Sequence, residues 1–127
     1  MRNRAGILLV ENEQLAVIKR TKGQTIYYVI PGGGVEEGES FEEAAKREAA
    51  EELGIQVENL QLALEFEQNG SQKYYFAGKY NGTLGKGNGE EYRTGEGTYL
   101  PCWIGLKSLD DKALYPEEVK SMLLKKR

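Results

Sequence analysis

The sequence predicts an α/β fold in which a mixed β-sheet is layered between helices. Stretches rich in β-branched and aromatic residues lie on both sides of one central helical segment, and a second helical segment follows near the C-terminus. With 127 residues, 39% of them hydrophobic, the chain is long enough for one core of moderate size. We therefore expect a single domain over residues 1–127, with no internal boundary.

The N-terminal part of the chain predicts three strands. Arg4–Glu11 has the apolar composition of a buried strand, and Leu15–Arg20 is its expected hairpin partner across Asn12–Gln14. Thr25–Ile30 is a third strand, rich in β-branched and aromatic residues. Pro31 ends that strand, and a run of three glycines follows it.

The central segment predicts a helix at about residues 41–53. Ser40 is a good N-cap, and Glu43 three residues later completes a capping box. Gly54 supplies the C-terminal stop. Four alanines between these signals are strong helix formers: Ala44, Ala45, Ala49 and Ala50.

The C-terminal half predicts three more strands and a helix. Leu60–Phe66 alternates apolar and polar residues, and Lys73–Tyr80 is the expected return strand. Thr98–Ile104 is another strand, in which Pro101 indicates an edge or a bulge. Pro116–Lys125 has the apolar spacing and the basic end of a helix.

The glutamates of the central helix are placed unusually. At roughly 100° per residue, Glu48 and Glu52 project from the apolar alanine face, and Glu51 lies at its edge. An acidic helix is ordinarily a solvated surface with i,i+4 ion pairs, and that alternative predicts the glutamates opposite the apolar face. Carboxylates within a partly buried face need a compensating charge. Oxygen-only ligands of this kind suit a hard divalent cation, Mg²⁺ or Mn²⁺.

The charge distribution argues against a nucleic-acid polymer as the partner. The net charge is −3, and the segment 32–55 holds eight of the twenty acidic residues, which leaves 12 acids and 15 bases elsewhere. Acidity is therefore concentrated at one place. Such a place repels an anionic substrate unless a bound metal reverses the local sign.

Other composition features narrow the setting and the chemistry. The chain has no histidine, so the commonest general base and the Ser–His and Cys–His pairs of nucleophilic catalysis are excluded. Cys102 is the one cysteine, which is compatible with a reduced, cytoplasmic protein. No signal peptide or membrane-length apolar segment is visible, so no membrane association is expected. The carboxylates beside a glycine run predict metal-assisted hydrolysis of a phosphoanhydride.

The same segment resembles the signature of the Nudix hydrolases, G-x5-E-x7-R-E-U-x-E-E-x-G-U, where U is aliphatic. Gly33, Glu39 and the run Arg47–Ile55 match every fixed position, although Ala49 is smaller than the usual aliphatic residue. The stretches YYVIPGGGVEEGES and TYLPCWIGL also resemble Nudix proteins. The resemblance implies a Nudix-type α/β/α sandwich. It also implies hydrolysis of a nucleoside diphosphate linked to another moiety, with a MutT-like nucleoside triphosphate diphosphatase as first candidate.

The resemblance also implies roles for individual residues. Glu51 and Glu52 match the metal-ligand pair, and Glu48 matches a position described as ligand, general base or both. Gly32 matches a residue whose backbone carbonyl ligates the metal. Arg47 matches an arginine that orients the glutamates by ion pairing.

Three questions stay open from the sequence. Glu39 either braces the loop onto the helix or acts directly as ligand or base. A late loop often adds one more carboxylate in this family, for which the candidates are Glu90, Glu91 and Glu96, each of which is otherwise a solvated loop charge. Lys19 and Arg20, on the second strand, either meet phosphates or belong to an exposed strand end.

Two alternatives to an enzyme also remain. A non-catalytic Nudix domain would bind a nucleotide as a sensor, but such domains commonly lose glutamates that this chain keeps. A purely structural acidic helix is the second alternative. The partner is expected to be a small-molecule nucleotide, and the protein a monomer or a homodimer.

Overall fold

The structure is a computed structural model that describes residues 2–84, 93–94 and 97–125. These residues form ten strands, two α-helices and one 3-10 turn at Leu106–Asp111. The elements in chain order are β1 (Arg4–Leu8), β2 (Val10–Glu11), β3 (Gln14–Lys22), β4 (Thr25–Val29), β5 (Gly32–Gly34), α1 (Phe41–Leu53), β6 (Gln56–Glu67), β7 (Ser71–Asn81), β8 (Arg93–Thr94), β9 (Gly97–Gly105), β10 (Leu114–Tyr115) and α2 (Glu117–Lys125).

The strands form two sheets, and both contain parallel and antiparallel pairs. The first sheet has the order β5-β1-β7-β6, in which β1 and β7 run parallel. The second has the order β10-β4-β3-β9-β8, with β2 also paired to β3 and with β10 parallel to β4. The predicted α/β fold with mixed pairing is confirmed, and its strands are divided between two sheets where one was expected.

The division into two sheets begins at Leu9. The predicted strand Arg4–Glu11 is interrupted there, because β1 pairs with β5 and β7 whereas β2 pairs with β3. The predicted hairpin is therefore the short one between β2 and β3. Its two-residue loop, Asn12 and Glu13, has positive φ angles of 55° and 60°, which suit a tight turn between twisted strands.

Helix α1 has the bounds that the sequence predicts. The Ser40 hydroxyl accepts a hydrogen bond from the Glu43 backbone N–H at 3.0 Å, and the Glu43 carboxylate accepts one from the Ser40 N–H at 2.9 Å. Gly54 follows in the left-handed conformation, with φ of 73°. These local interactions fix where the helix starts and stops.

The two helices pack into different cores on the two sides of β1. Side chains alternate along a strand, so Ala5 and Ile7 face the core of α1 and Leu8 faces the core of α2. Ala44, Ala45 and Ala49 of α1 are fully buried, as are Val119 of α2 and most of Leu123. The small side chains of these three alanines let α1 lie close to the sheet. Helices on both sides confirm the sandwich.

Other elements differ from their predictions in detail. The glycine run forms a short strand, β5, and β6 extends the predicted strand at both ends. Pro101 of β9 pairs with Ile18 of β3. On the other side of β9, the short strand β8 pairs only with Gly97 and Thr98, so among the described residues no strand pairs with Pro101 on that side. This fits the predicted edge position. Neither α1 nor α2 is long and apolar enough to cross a membrane, as judged over the described residues.

Candidate active site

The glycine strand β5 presents its backbone to helix α1. It lies at the edge of the first sheet and pairs antiparallel with β1. In such a pair, alternate residues direct both backbone groups away from the partner strand. Gly32 donates its N–H to Glu52 Oε1 at 3.1 Å, and the Gly34 carbonyl accepts from Arg47 Nη2 at 3.0 Å. Two residues of one strand thus orient two side chains of α1.

The residue between them, Gly33, leaves the space that Glu48 occupies. A Cβ at Gly33 would overlap the Glu48 carboxylate, so a larger residue would displace that group. Glu48 is 9% exposed, one of two buried polar or charged residues identified in the described part of the chain. The glycine in the signature is therefore required by close approach of the carboxylate to the backbone.

Arg47 holds several carboxylates around one guanidinium group. Its Nε donates to Glu39 Oε2 at 2.7 Å and its Nη2 to Glu39 Oε1 at 3.0 Å, which is a bidentate pair. Its Nη1 donates to Glu48 Oε2 at 2.9 Å and to Glu51 Oε1 at 3.4 Å. These interactions raise the pKa of Arg47 further above its ordinary value. The arginine thereby fixes the orientation of Glu48.

Glu39 connects the loop before α1 to this arginine. Its Oε1 also accepts the Glu36 backbone N–H at 2.9 Å. The hydrogen bond from Arg47, then that from Glu36, lowers the pKa of Glu39 from 4.5 to about 2. These contacts tie the loop to the helix, as the bracing alternative for Glu39 requires. No hydrogen bond joins Glu39 to Glu52, the other carboxylate beside Glu48, among the described residues.

Glu48 and Glu52 form a close carboxylate pair. The pKa of Glu52 is raised from 4.5 to about 8, first by burial and then by the hydrogen bond and the negative charge of Glu48. The Gly32 N–H and the charge of Arg4 oppose that rise. Burial beside the Glu48 carboxylate therefore favours the protonated form of Glu52 near neutral pH.

The groups at this place fit a hard divalent cation. They comprise the carboxylates of Glu48 and Glu52 and the carbonyl of Gly32, which the strand register directs to the same open edge as its N–H. All of these ligating atoms are oxygens, and a cation bound there would replace the proton of Glu52.

The predicted ligand Glu51 is positioned differently. Its side chain is 56% exposed and lies against Arg47. Across residues 2–84, 93–94 and 97–125, no three ligating side chains converge on one point. Glu51 would have to leave Arg47 to join the other two. Glu90, Glu91 and Glu96 lie outside the described residues, so the predicted late-loop ligand stays a prediction.

A cleft adjoins the carboxylate pair, and its cationic lining was largely missed from the sequence. A chamber of about 350 Å³ contains Glu52 and Gly32 together with Arg4, Arg20 and Tyr99. The sequence indicates a phosphate contact as one alternative for Lys19 and Arg20, but it does not single out Arg4. The signal for Arg4 was its charge at the first position of a strand that is otherwise apolar.

The fold and the site together define the class of protein, a hydrolase of phosphoanhydride bonds. The NUDIX domain family matches residues 1–123, and the chain belongs to that family of pyrophosphohydrolases. It is 32% identical over 120 residues to the 8-oxo-dGTP diphosphatase of Haemophilus influenzae, and this match covers 91% of this chain and 84% of that protein.

Solved structures show the same fold. A MutT structure from work on Aliivibrio salmonicida and Vibrio cholerae superposes with a TM-score of 0.73 at 23% identity, covering 98% of both chains. The mutator MutT protein of Bacillus halodurans gives 0.73 at 21% identity, covering 97% of this chain and 80% of that one. The structure of an ADP compounds hydrolase superposes with a TM-score of 0.73 at 18% identity, and the match covers 97% of this chain and 69% of that one. The prediction of a MutT-like Nudix hydrolase is confirmed.

Proposed function

We propose that the protein hydrolyses a pyrophosphate bond in a nucleoside diphosphate linked to another moiety, with the help of Mg²⁺ or Mn²⁺. The observation that carries this proposal is the convergence of the buried Glu48 carboxylate and the Glu52 carboxylate on the backbone of Gly32 and Gly33. In this proposal the carbonyl of Gly32 and the carboxylates of Glu48, Glu51 and Glu52 are the ligands.

A bound divalent cation would neutralise charge on the phosphate oxygens and activate a water molecule. Glu48 would accept the proton of the attacking water, because it lies at the centre of the site and its orientation is fixed by Arg47 at 2.9 Å. Arg47 and Glu39 would act as positioning residues. The products would be a nucleoside monophosphate and either the phosphorylated moiety or pyrophosphate.

A nucleoside triphosphate is the first substrate candidate. The relative with the highest identity reported above is a diphosphatase of 8-oxo-dGTP. The likeness to an ADP compounds hydrolase concerns the fold only, at 18% identity. The alternative of a nucleotide-binding sensor is less well supported, since all signature glutamates are present and three of them contact Arg47.

The test is a panel of nucleotides incubated with the protein in Mg²⁺, Mn²⁺ or EDTA. The panel contains dNTPs, 8-oxo-dGTP, ADP-ribose, UDP-sugars and dinucleoside polyphosphates, with pyrophosphate and phosphate release measured. We expect turnover of nucleoside triphosphates with a metal and none with EDTA.

A control separates the site from general effects on the helix. Glu42→Gln removes an exposed carboxylate from the same helix and is expected to leave turnover unchanged. If no nucleotide is hydrolysed although one binds in the micromolar range, the sensor alternative replaces the enzyme.

A further inference from the structure

The cleft beside the carboxylates consists of two neighbouring chambers. The chamber of about 350 Å³ contains Glu52, and a second chamber of about 420 Å³ extends past Gln72 and Tyr74. Both are lined by Arg4, Val29 and Ile30, so the two chambers lie next to each other. Their combined size is in the range of small-molecule binding sites, roughly 300–1,000 Å³.

Three arginines line this cleft. Arg2, Arg4 and Arg20 line the chambers, and in the described part of the chain none of them forms an ion pair with a carboxylate. Arg47, in contrast, is surrounded by glutamates. Unpaired cations that line one concave surface attract an anionic ligand.

Arg20 is oriented by an aromatic ring. Its guanidinium carbon lies 5.5 Å from the centre of the Tyr99 ring, a cation–π contact. Its Nε is buried and has no hydrogen-bond partner among the described residues. Such a donor is unfavourable to bury without an acceptor. The arrangement holds the guanidinium in the wall of the chamber, where it forms no ion pair with a carboxylate of the described residues.

Arg4 lies between the two chambers. It lines both chambers, the second of them together with Tyr74, and its charge lowers the pKa of Glu52 without an ion pair between the two groups. Gly34, which faces Arg4 across β1 and β5, belongs to the strand that orients α1. Arg4 thus lines the same chamber as Glu52, and it forms no ion pair with a carboxylate of the described residues.

We infer that Arg4 and Arg20 bind the phosphate chain of the substrate in the chamber beside Glu52. This rests on the proposed function, because the anion is taken to be the nucleotide that is hydrolysed. The acidic helix alone would repel a polyphosphate, and two guanidinium groups supply the opposing attraction. Arginine suits this role because its planar group binds phosphate oxygens through two parallel hydrogen bonds.

The test separates phosphate binding from catalysis. Inorganic tripolyphosphate is titrated calorimetrically into the whole protein in EDTA, and KM is measured for the nucleotide that is hydrolysed in Mg²⁺. Arg4→Ala and Arg20→Ala are each expected to weaken tripolyphosphate binding and raise KM by ~10-fold or more, since charge-assisted hydrogen bonds are lost. Effects on kcat are expected to be smaller, and Arg20→Lys should recover part of the affinity.

The matched control is Lys22→Ala. Lys22 is exposed, lies on strand β3 together with Arg20 and lines neither chamber, so the variant removes one positive charge outside the cleft. It is expected to bind tripolyphosphate within about twofold of the wild type. Arg4→Gln and Arg20→Gln serve if an alanine variant does not fold.

Two results would overturn the inference. One is unchanged tripolyphosphate affinity in both arginine variants, and the other is an equal loss in Lys22→Ala, which would indicate general charge attraction. If the wild type hydrolyses no nucleotide but the arginine variants still lose tripolyphosphate binding, the proposed function fails and the phosphate site stands. If hydrolysis proceeds and affinity is unchanged, the inference alone fails.

Discussion

Glu48→Gln is expected to lower kcat for nucleotide hydrolysis by ~10²- to 10⁴-fold, the range typical of a lost general base. Glutamine has almost the same shape and can still accept a hydrogen bond from Arg47, whose Nη1 lies 2.9 Å from Glu48 Oε2. The substitution removes the charge that would hold a cation and the basicity that would take a proton. Steady-state kinetics in saturating Mg²⁺ measure the change.

Glu42→Gln is the matched control for that experiment, because Glu42 lies exposed on the first turn of the same helix. Circular dichroism confirms that both variants are folded. A kcat for Glu48→Gln within threefold of the wild type would exclude Glu48 from the chemistry and would leave Glu52 or Glu51 as the base.

Arg47→Lys is expected to lower kcat by ~10- to 100-fold, as is usual when a group that orients metal ligands is replaced. Lysine keeps the positive charge but has a single nitrogen. The three nitrogens of Arg47 contact Glu39 at two points, Glu48 through Nη1 and the Gly34 carbonyl through Nη2, and one nitrogen cannot make all of these contacts. The glutamates therefore lose their common orientation although the site stays cationic.

The pH dependence of stability gives Arg47→Lys a second readout. The pKa of Glu39 is lowered from 4.5 to about 2 by Arg47, so the folded state favours the ionised form more than the unfolded state does. This stabilisation is present above pH 4.5 and is lost as the pH falls towards 2. Thermal unfolding should show the variant less stable at pH 6, with the difference from the wild type shrinking below pH 4. A difference that is independent of pH would contradict this account of Glu39.

Local signals made helix α1 predictable from the sequence. Ser40, Glu43 and Gly54 act within a few residues of the helix ends, so their capping interactions need no knowledge of the rest of the fold. The helical period also placed Glu48 and Glu52 on the apolar face, where the structure has them.

The sheet arrangement depends on distant contacts and was only partly predictable. Nothing local to Leu9 indicates that the strands before and after it belong to different sheets, since that is decided by pairing of β1 with β7, more than sixty residues away. The role of the glycine strand depends on register in the same way. Gly32 and Gly34 face α1, and Gly33 makes room for Glu48, only because β5 pairs with β1.

The cleft shows the same limit for site residues. A fixed signature identified the carboxylates of α1, but Arg4 and Arg20 belong to different strands and to no motif. They line one chamber because the two sheets meet beside Glu52. Substrate recognition by such residues is a property of the assembled fold.

The most direct test of the central claim is the binding of Mn²⁺ to the protein, followed by electron paramagnetic resonance between pH 6 and 9. Because burial and the neighbouring Glu48 raise the pKa of Glu52 to about 8, we expect the Mn²⁺ affinity to rise with pH up to about 8 and then to level, as the cation replaces the proton of Glu52. Glu52→Gln should weaken binding at least ~10-fold, since it removes a ligand charge. Equal affinity in Glu52→Gln and the wild type would show that the carboxylate pair does not hold the metal.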